Sequence, residues 1–464
     1  MQQRINEYFA DKEAQLVEAI SRMVRIDSTL GEAQPGKPFG PGPAAALEEM
    51  LTLSAEWGLP GENLEGYVGT VDMNDQETAL HILGHLDVVD AGVGWTVTAA
   101  FEPKLVDGIL YGRGVADDKG PMVAALLAMK AVKDMGISLK KNVRMILGTD
   151  EETGFRDIDW YFDRHPHAPY TISPDADFPI INIEKGHYQP TFSASWAQTN
   201  ALPRVTSLTG GPRLNMVPPN ANALVAGLTA EDIQAVIPTL GLENITFTLT
   251  QKEEGLHILA TGQSAHGSTP EEGHNAQTAL VTLLAALPLA DCPSTQAIRT
   301  LRDLFPHGDF TGKALGVAQS DELSGHLSLA FTLITLTETG FEGRFDSRTP
   351  LCANDENTRL VTEKVMGKFG WTVKGEIDPP HHVPADSPFI QTLGKCYEMY
   401  SGRKSECLAI GGGTYVHHIP GGVAFGAVMP GFACNFHGPD EKVNVADLLT
   451  AAKIYTQVII ELCA

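Results

Sequence analysis

A short apolar run, Leu80-His-Ile-Leu-Gly-His-Leu-Asp-Val-Val-Asp90, sets the terms for this chain. Its length and composition read as a buried strand, and it ends in His85 and Asp87. Residues i and i+2 of a strand point to one face, so an imidazole and a carboxylate emerge side by side where the apolar strand runs out. One histidine at a strand end is more often a hydrogen-bonded structural residue. The weight shifts because further acid clusters follow other strand-like runs: Asp117/Asp118, Glu151/Glu152 and Asp175/Asp177. His437, in Asn435-Phe-His-Gly-Pro-Asp-Glu441, adds a second imidazole late in the chain.

The spacing of apolar residues organises the rest. Ile5, Phe9, Leu16, Ile20, Met23 and Val24 predict one amphipathic helix over 5–25. Helices are also expected at 44–57, 122–135, 276–289, 388–401 and 444–463, that at 122–135 apolar nearly all round and therefore buried on a sheet. Strands are expected at 65–71, 79–86, 142–148, 170–174 and 180–183. Strands alternating with helices over the first ~190 residues predict an α/β fold, a mostly parallel twisted sheet with helices on both faces. From 190 to 378 the strands alternate polar and apolar (245–250, 256–261, 328–338, 341–347), which is α+β composition. Helix–strand alternation then resumes. The expected organisation is a discontinuous α/β domain, 1–189 and 379–464, with an inserted α+β domain at 190–378. A chain of 464 residues has room for two cores.

Charge narrows the partners. A net charge of −24 argues against nucleic acid or an anionic membrane. The longest apolar stretches are too short to span a bilayer. Six scattered cysteines without a Cys-x-x-Cys pair suit a reducing cytoplasm, and the charged, amphipathic first twenty residues do not read as a leader. Carboxylates gathered at the carboxyl ends of strands lie where open α/β sheets bind ligands. They cannot all stay ionised there without a cation, because like charges in a cleft raise one another's pKa. Two imidazoles plus several carboxylates suit Zn²⁺, Mn²⁺ or Co²⁺ better than Ca²⁺. The doublets His381/His382 and His417/His418 read as structural, since strand neighbours face opposite ways.

The motifs together resemble a known family. His-x-Asp at 85–87, Gly-Arg-Gly-Val-Ala-Asp-Asp-Lys-Gly at 112–120, Asp-Glu-Glu-Thr-Gly at 150–154, Ser-Pro-Asp-Ala at 173–176 and His437 are similar to those of the M20 di-metal peptidases. Within that family the chain resembles the PepV-type bacterial dipeptidases (Xaa-His dipeptidases, carnosinase-like), over essentially its whole length. The resemblance implies a di-metal aminopeptidase-like catalytic domain and an inserted lid. It implies that His85, Asp117 and Asp175 hold one metal, and Glu152, His437 and the shared Asp117 the other, with Zn²⁺ first and Mn²⁺ or Co²⁺ as alternatives. Glu151 then matches the general base and Asp87 the carboxylate behind His85. The Asp117–Asp118 peptide is expected to be cis.

In the insertion, the resemblance makes His266 the lid histidine that stabilises an oxyanion. It makes Asn215 and Arg348 substrate contacts, with the planar fork of Arg348 suited to a terminal carboxylate. Gly413 and Thr414 close a glycine turn whose backbone N–H groups could cradle a carboxylate. The implied activity is hydrolysis of dipeptides with a free N-terminus through a metal-bridging water. An N-acyl amino acid deacylase or a succinyl-diaminopimelate desuccinylase of the same scaffold is the alternative. A small peptide is the expected partner, with no nucleic acid or membrane, and a monomer is favoured over a lid-mediated homodimer.

Overall fold

A computed structural model describes all 464 residues. The chain divides into two compact units: Met1–Ile183 with His382–Leu408 and Gly413–Ala464, and Glu184–His381 with Ala409–Gly412. The first contains a sheet in which Gly61–Leu64, Val68–Asp72, Asn142–Gly148, Thr78–His85, Tyr170–Ser173, Gly422–Ala424 and Ile180–Glu184 lie side by side in that order. The α/β class is the one expected, but the sheet is mixed. Its four central strands, from Asn142–Gly148 to Gly422–Ala424, run parallel, and the strands on both sides are antiparallel.

Strand alternation explains how both faces are covered. Leu80 and Ile82 join the large core with the helices Glu13–Val24, Lys119–Asp134 and Val445–Cys463. Leu83, with Val68 and Ile146, faces the other way onto Ile158, Tyr161, Tyr415 and Ile419. Lys119–Asp134 is buried nearly all round, as its Ala/Leu/Met composition requires. The single helix expected over 5–25 is two, Gln2–Phe9 and Glu13–Val24, broken at Ala10–Lys12. The buried residues keep one phase across the break, so periodicity could not reveal it. Gly422–Ala424 and Ala427–Val428 are separate short strands, parted at Phe425 and Gly426. No helix is long and apolar enough to cross a membrane.

The second unit is an antiparallel sheet. Its strands run Thr246–Lys252, Gly255–Thr261, Asn220–Ala226, Arg204–Gly210, Ser328–Thr337, Gly340–Thr349, Gly186–Tyr188 and Ile377–Asp378. The helices Ala276–Ala286 and Pro293–Leu304 share its core, where Phe192, Phe305, Phe331 and Phe345 pack together. Gly411 and Gly412 fold with this unit, while Gly413 and Thr414 fold with the first.

Candidate metal centre

The parallel register places the chemistry. His85, the last residue of its strand, pairs with Gly148, so the loop carrying Asp150–Glu152 begins beside it. Gly84 leaves the space this needs: a Cβ there would lie 2.2 Å from Asp118 Oδ2 and 2.4 Å from Met122 Sδ. Asp118 is fully buried at the start of helix Lys119–Asp134, accepts the His85 N–H at 3.3 Å, and leaves Oδ1 without a partner. The Asp117–Asp118 peptide is cis.

Asp117 lies between the two imidazoles. Its Oδ1 is 2.9 Å from His85 Nε2 and its Oδ2 is 2.9 Å from His437 Nε2. Asp175 Oδ2 lies 3.5 Å from the same His85 nitrogen, and Glu152 Oε2 lies 3.2 Å from that of His437. The structure thus brings together all five residues expected to bind metal. Donor atoms of His85, Asp117 and Glu152, and of His85, Asp118 and Asp175, fall within 4.8 Å of one another. The partners of these carboxylates are the two imidazoles. Burial, then the charge of Asp117, raises Glu152. Burial dominates at Asp175, pushed up to about 7 with Asp117 adding to the rise against the pull of His85. Burial opposes the charge on His437, yet hydrogen bonds to Asp117 and Glu152 lift it to about 11. Carboxylates this crowded are held ionised by positive charge, and the N/O donors with the unpartnered Asp118 oxygen fit divalent transition metals.

Asp87 acts on the backbone. Its carboxylate oxygens accept the N–H groups of Glu151 at 3.2 Å and Glu152 at 3.1 Å. His85 Nδ1 hydrogen-bonds the backbone carbonyl of Asp87 at 3.0 Å, closer than the carboxylate at 3.4 Å. A carbonyl only accepts, so Nδ1 carries a proton, and Nε2 is the nitrogen turned toward Asp117, where it would ligate a cation. The Glu151 carboxyl is pushed well above the usual range by burial, and by the charges of Asp175 and Glu152 against that of His85.

Several structural residues escape sequence reasoning. Glu441, wholly buried, accepts the N–H groups of Gly114 at 3.0 Å, Ala116 at 3.0 Å and Asp117 at 3.3 Å, and a 2.7 Å bond from Arg113 Nη1. It ties the Asp117 loop to the loop of His437. That loop is tightly wound: Asn435, His437 and Asp440 have φ of +53 to +59°. Asp157 accepts the N–H groups of Thr149 and Asp150 and the hydroxyl of Tyr415, bracing the turn before Glu151. The only sequence hint of Glu441 is its place four residues after His437; Asp157 and Tyr415 leave none.

In the second unit, His266 and Asn215 are exposed, and Gly267 N–H donates to the Asn215 carbonyl at 2.8 Å. Arg348 is buried. Its Nε and Nη2 bond Asp346 at 3.0 Å each, and Nη1 bonds the Gly411 carbonyl at 2.6 Å and His187 Nε2 at 2.9 Å. Its fork is therefore engaged within the protein. Thr414 Oγ accepts the Val416 N–H at 3.3 Å, capping the turn Tyr415–His418.

Comparison with known proteins identifies the family and the fold. The profile of peptidase family M20/M25/M40 matches residues 81–461. A putative dipeptidase of Bacillus subtilis, YtjP, is 36% identical over 466 residues, covering 97% of this chain and 98% of its own. A beta-Ala-Xaa dipeptidase of Lactobacillus delbrueckii subsp. lactis is 32% identical, covering 98% and 97%. The crystal structure of human carnosine dipeptidase 1 has the same fold, with a TM-score of 0.58 at 16% identity over 99% of this chain and 98% of that one.

Proposed function

As the chain belongs to peptidase family M20/M25/M40, we propose that it hydrolyses dipeptides carrying a free N-terminus with the help of two divalent cations. The observation that carries this reading is the Asp117 carboxylate set between His85 and His437, with Asp175 on one side and Glu152 on the other. His85, Asp117 and Asp175 would hold one cation; Glu152, His437 and Asp117 the other. Zn²⁺ is the first choice, with Mn²⁺ or Co²⁺ as alternatives. Bound there, the cations supply Lewis acidity toward a peptide carbonyl and toward water.

Glu151 is the proton carrier: its carboxylate takes a proton from the attacking water and returns it to the leaving amine. A carboxyl raised by its surroundings, as this one is, suits that exchange better than an ordinary surface glutamate. Asp87 sets its position, because both of its oxygens fix the backbone at Glu151 and Glu152. His266 serves as a hydrogen-bond donor to a substrate oxygen, and Asn215, Arg348, Gly413 and Thr414 shape the substrate's place. The names of the 36% and 32% identical relatives support a substrate of two residues. We place the enzyme in the cytoplasm as a monomer, with the six free cysteines in support of a reducing compartment.

The test is hydrolysis of Leu-Leu, β-Ala-His, Leu-Leu-Leu, N-acetyl-Leu and N-succinyl-diaminopimelate by metal-stripped protein given back Zn²⁺, Mn²⁺ or Co²⁺. Metal-restored cleavage of the two dipeptides alone is expected. Cleavage confined to the acylated substrates would replace the dipeptidase by the deacylase or desuccinylase.

A further inference from the structure

The ring of His266 is held in one orientation and one protonation pattern by its own turn. Nδ1 receives the backbone N–H of Ser268 at 3.2 Å and lies 2.6 Å from Ser268 Oγ. A backbone amide can only donate, so this longer contact favours a lone pair on Nδ1, which in the neutral ring leaves the proton on Nε2. The serine hydroxyl, at the shorter 2.6 Å, can donate to the same nitrogen and carries the larger part of the preference.

The turn is itself braced by backbone hydrogen bonds and by close packing within the second unit. Thr269 N–H closes it on the His266 carbonyl at 3.1 Å, and Gly267 N–H reaches the Asn215 carbonyl at 2.8 Å. Two glycines permit the close approaches. A Cβ on Gly267 would lie 2.1 Å from Asp346 Oδ2, and one on Gly411 would lie 2.7 Å from Ser268 Cβ. Arg348 fixes both neighbours at once, through its fork on Asp346 and its bond to the Gly411 carbonyl. Gln189 adds a 2.8 Å bond to Asp346.

We infer that Ser268 is a positioning residue that fixes His266 as an Nε2–H donor, with Arg348 and Asp346 as the brace behind the turn. The identity of the oxygen that receives this proton rests on the dipeptidase reading; the tautomer does not.

The experiment is a ¹⁵N spectrum of the histidine rings in the full-length, metal-loaded enzyme at alkaline pH. His266 is assigned by comparison with His266→Asn, and kcat and KM for Leu-Leu are measured alongside. In the wild type the Nε2–H tautomer dominates. In Ser268→Ala the Nδ1–H tautomer becomes visible and kcat falls about tenfold with KM little changed, less than the ~10²–10³ that follows loss of a whole oxyanion donor. Ser268→Thr, which keeps the hydroxyl, restores both.

A dominant Nδ1–H ring in the wild type overturns the inference, as does a Ser268→Ala enzyme with unaltered spectrum and kcat. An altered spectrum with unaltered kcat overturns the positioning role. If His266→Ala is then equally active, the part that fails is the role proposed for His266 in the reaction, and the tautomer stands.

Discussion

The acidic cluster of the first unit and the Arg348 frame of the second handle buried carboxylates in opposite ways. Around Asp117, carboxylates converge on one another, and the positive charge within reach is that of two imidazoles. Around Asp346, one carboxylate meets one guanidinium in a bidentate pair and a glutamine completes its bonding. The first arrangement is costly until a cation enters; the second is satisfied as it stands. The difference separates a place built to receive metal from a place built to hold a turn.

The comparison breaks most visibly at Asp117 and Glu151. Asp117→Asn removes the shared charge between the imidazoles, so both bound metal and turnover are expected to be lost. Glu151→Gln is expected to keep both metals and still lose kcat by ~10³ or more, as removal of a general base does. Metal content by elemental analysis beside kcat separates the two. An Asp117→Asn protein that retains two tightly bound metals would show that the cluster is not the metal centre.

The frame predicts a smaller loss, in stability. Arg348→Lys keeps the charge but cannot bond Asp346 through two nitrogens while reaching the Gly411 carbonyl. A cost of about 2 kcal/mol is expected, below the ~3–5 kcal/mol of a buried pair that loses one partner altogether. Urea denaturation measures it. An unchanged midpoint would mean that Arg348 is free to act on substrate and that the brace is not needed.

What the sequence discloses follows the same division. His85, Asp87, Glu151, Glu152 and Asp175 are legible because each sits at or just past the end of an apolar run, and strand ends in a parallel sheet converge. Asp117, expected there too, instead precedes the helix Lys119–Asp134, and the strand before it, Ile109–Tyr111, lies in a separate small antiparallel sheet. The motifs that tie them to a family are equally local. His437 needed the family pattern, since nothing in its own loop announces a ligand. The partners of Arg348 are drawn from positions 187, 346 and 411, and no spacing rule links them. Glu441 and Asp157 stay hidden for a related reason: the backbone N–H groups they accept leave no mark on the sequence, and the side chains they meet, Arg113 and Tyr415, lie 328 and 258 positions away. The break at Ala10–Lys12 is invisible because the apolar phase runs through it.

The sharpest form of the contrast lies within one strand. His85 and His81 stand four residues apart, both buried. Burial works against charge on both. At His85 the carboxylates of Asp175 and Asp117 overcome it and raise the pKa. At His81 burial is joined by the charges of Arg144 and His167, and only Asp72 opposes, so its pKa falls to about 4. Its Nδ1 has no hydrogen-bond partner, and its ring lies 6.0 Å from that of Phe162. His81 is therefore neutral in the folded protein at pH 5, where the unfolded chain binds a proton to the same side chain. The unfolded state then holds more protons, so stability falls as pH drops from about 6.5 toward 4. Between pH 7 and pH 5 this one residue should cost about 1–2 kcal/mol. In His81→Leu that part of the slope is expected to vanish while every other titrating group still contributes, and urea midpoints at the two pH values read the difference. Equal slopes in the two proteins would mean that His81 takes up its proton in the folded state as readily as in the unfolded one. The distinction between a histidine whose pKa carboxylates raise and one kept neutral by burial would then fall.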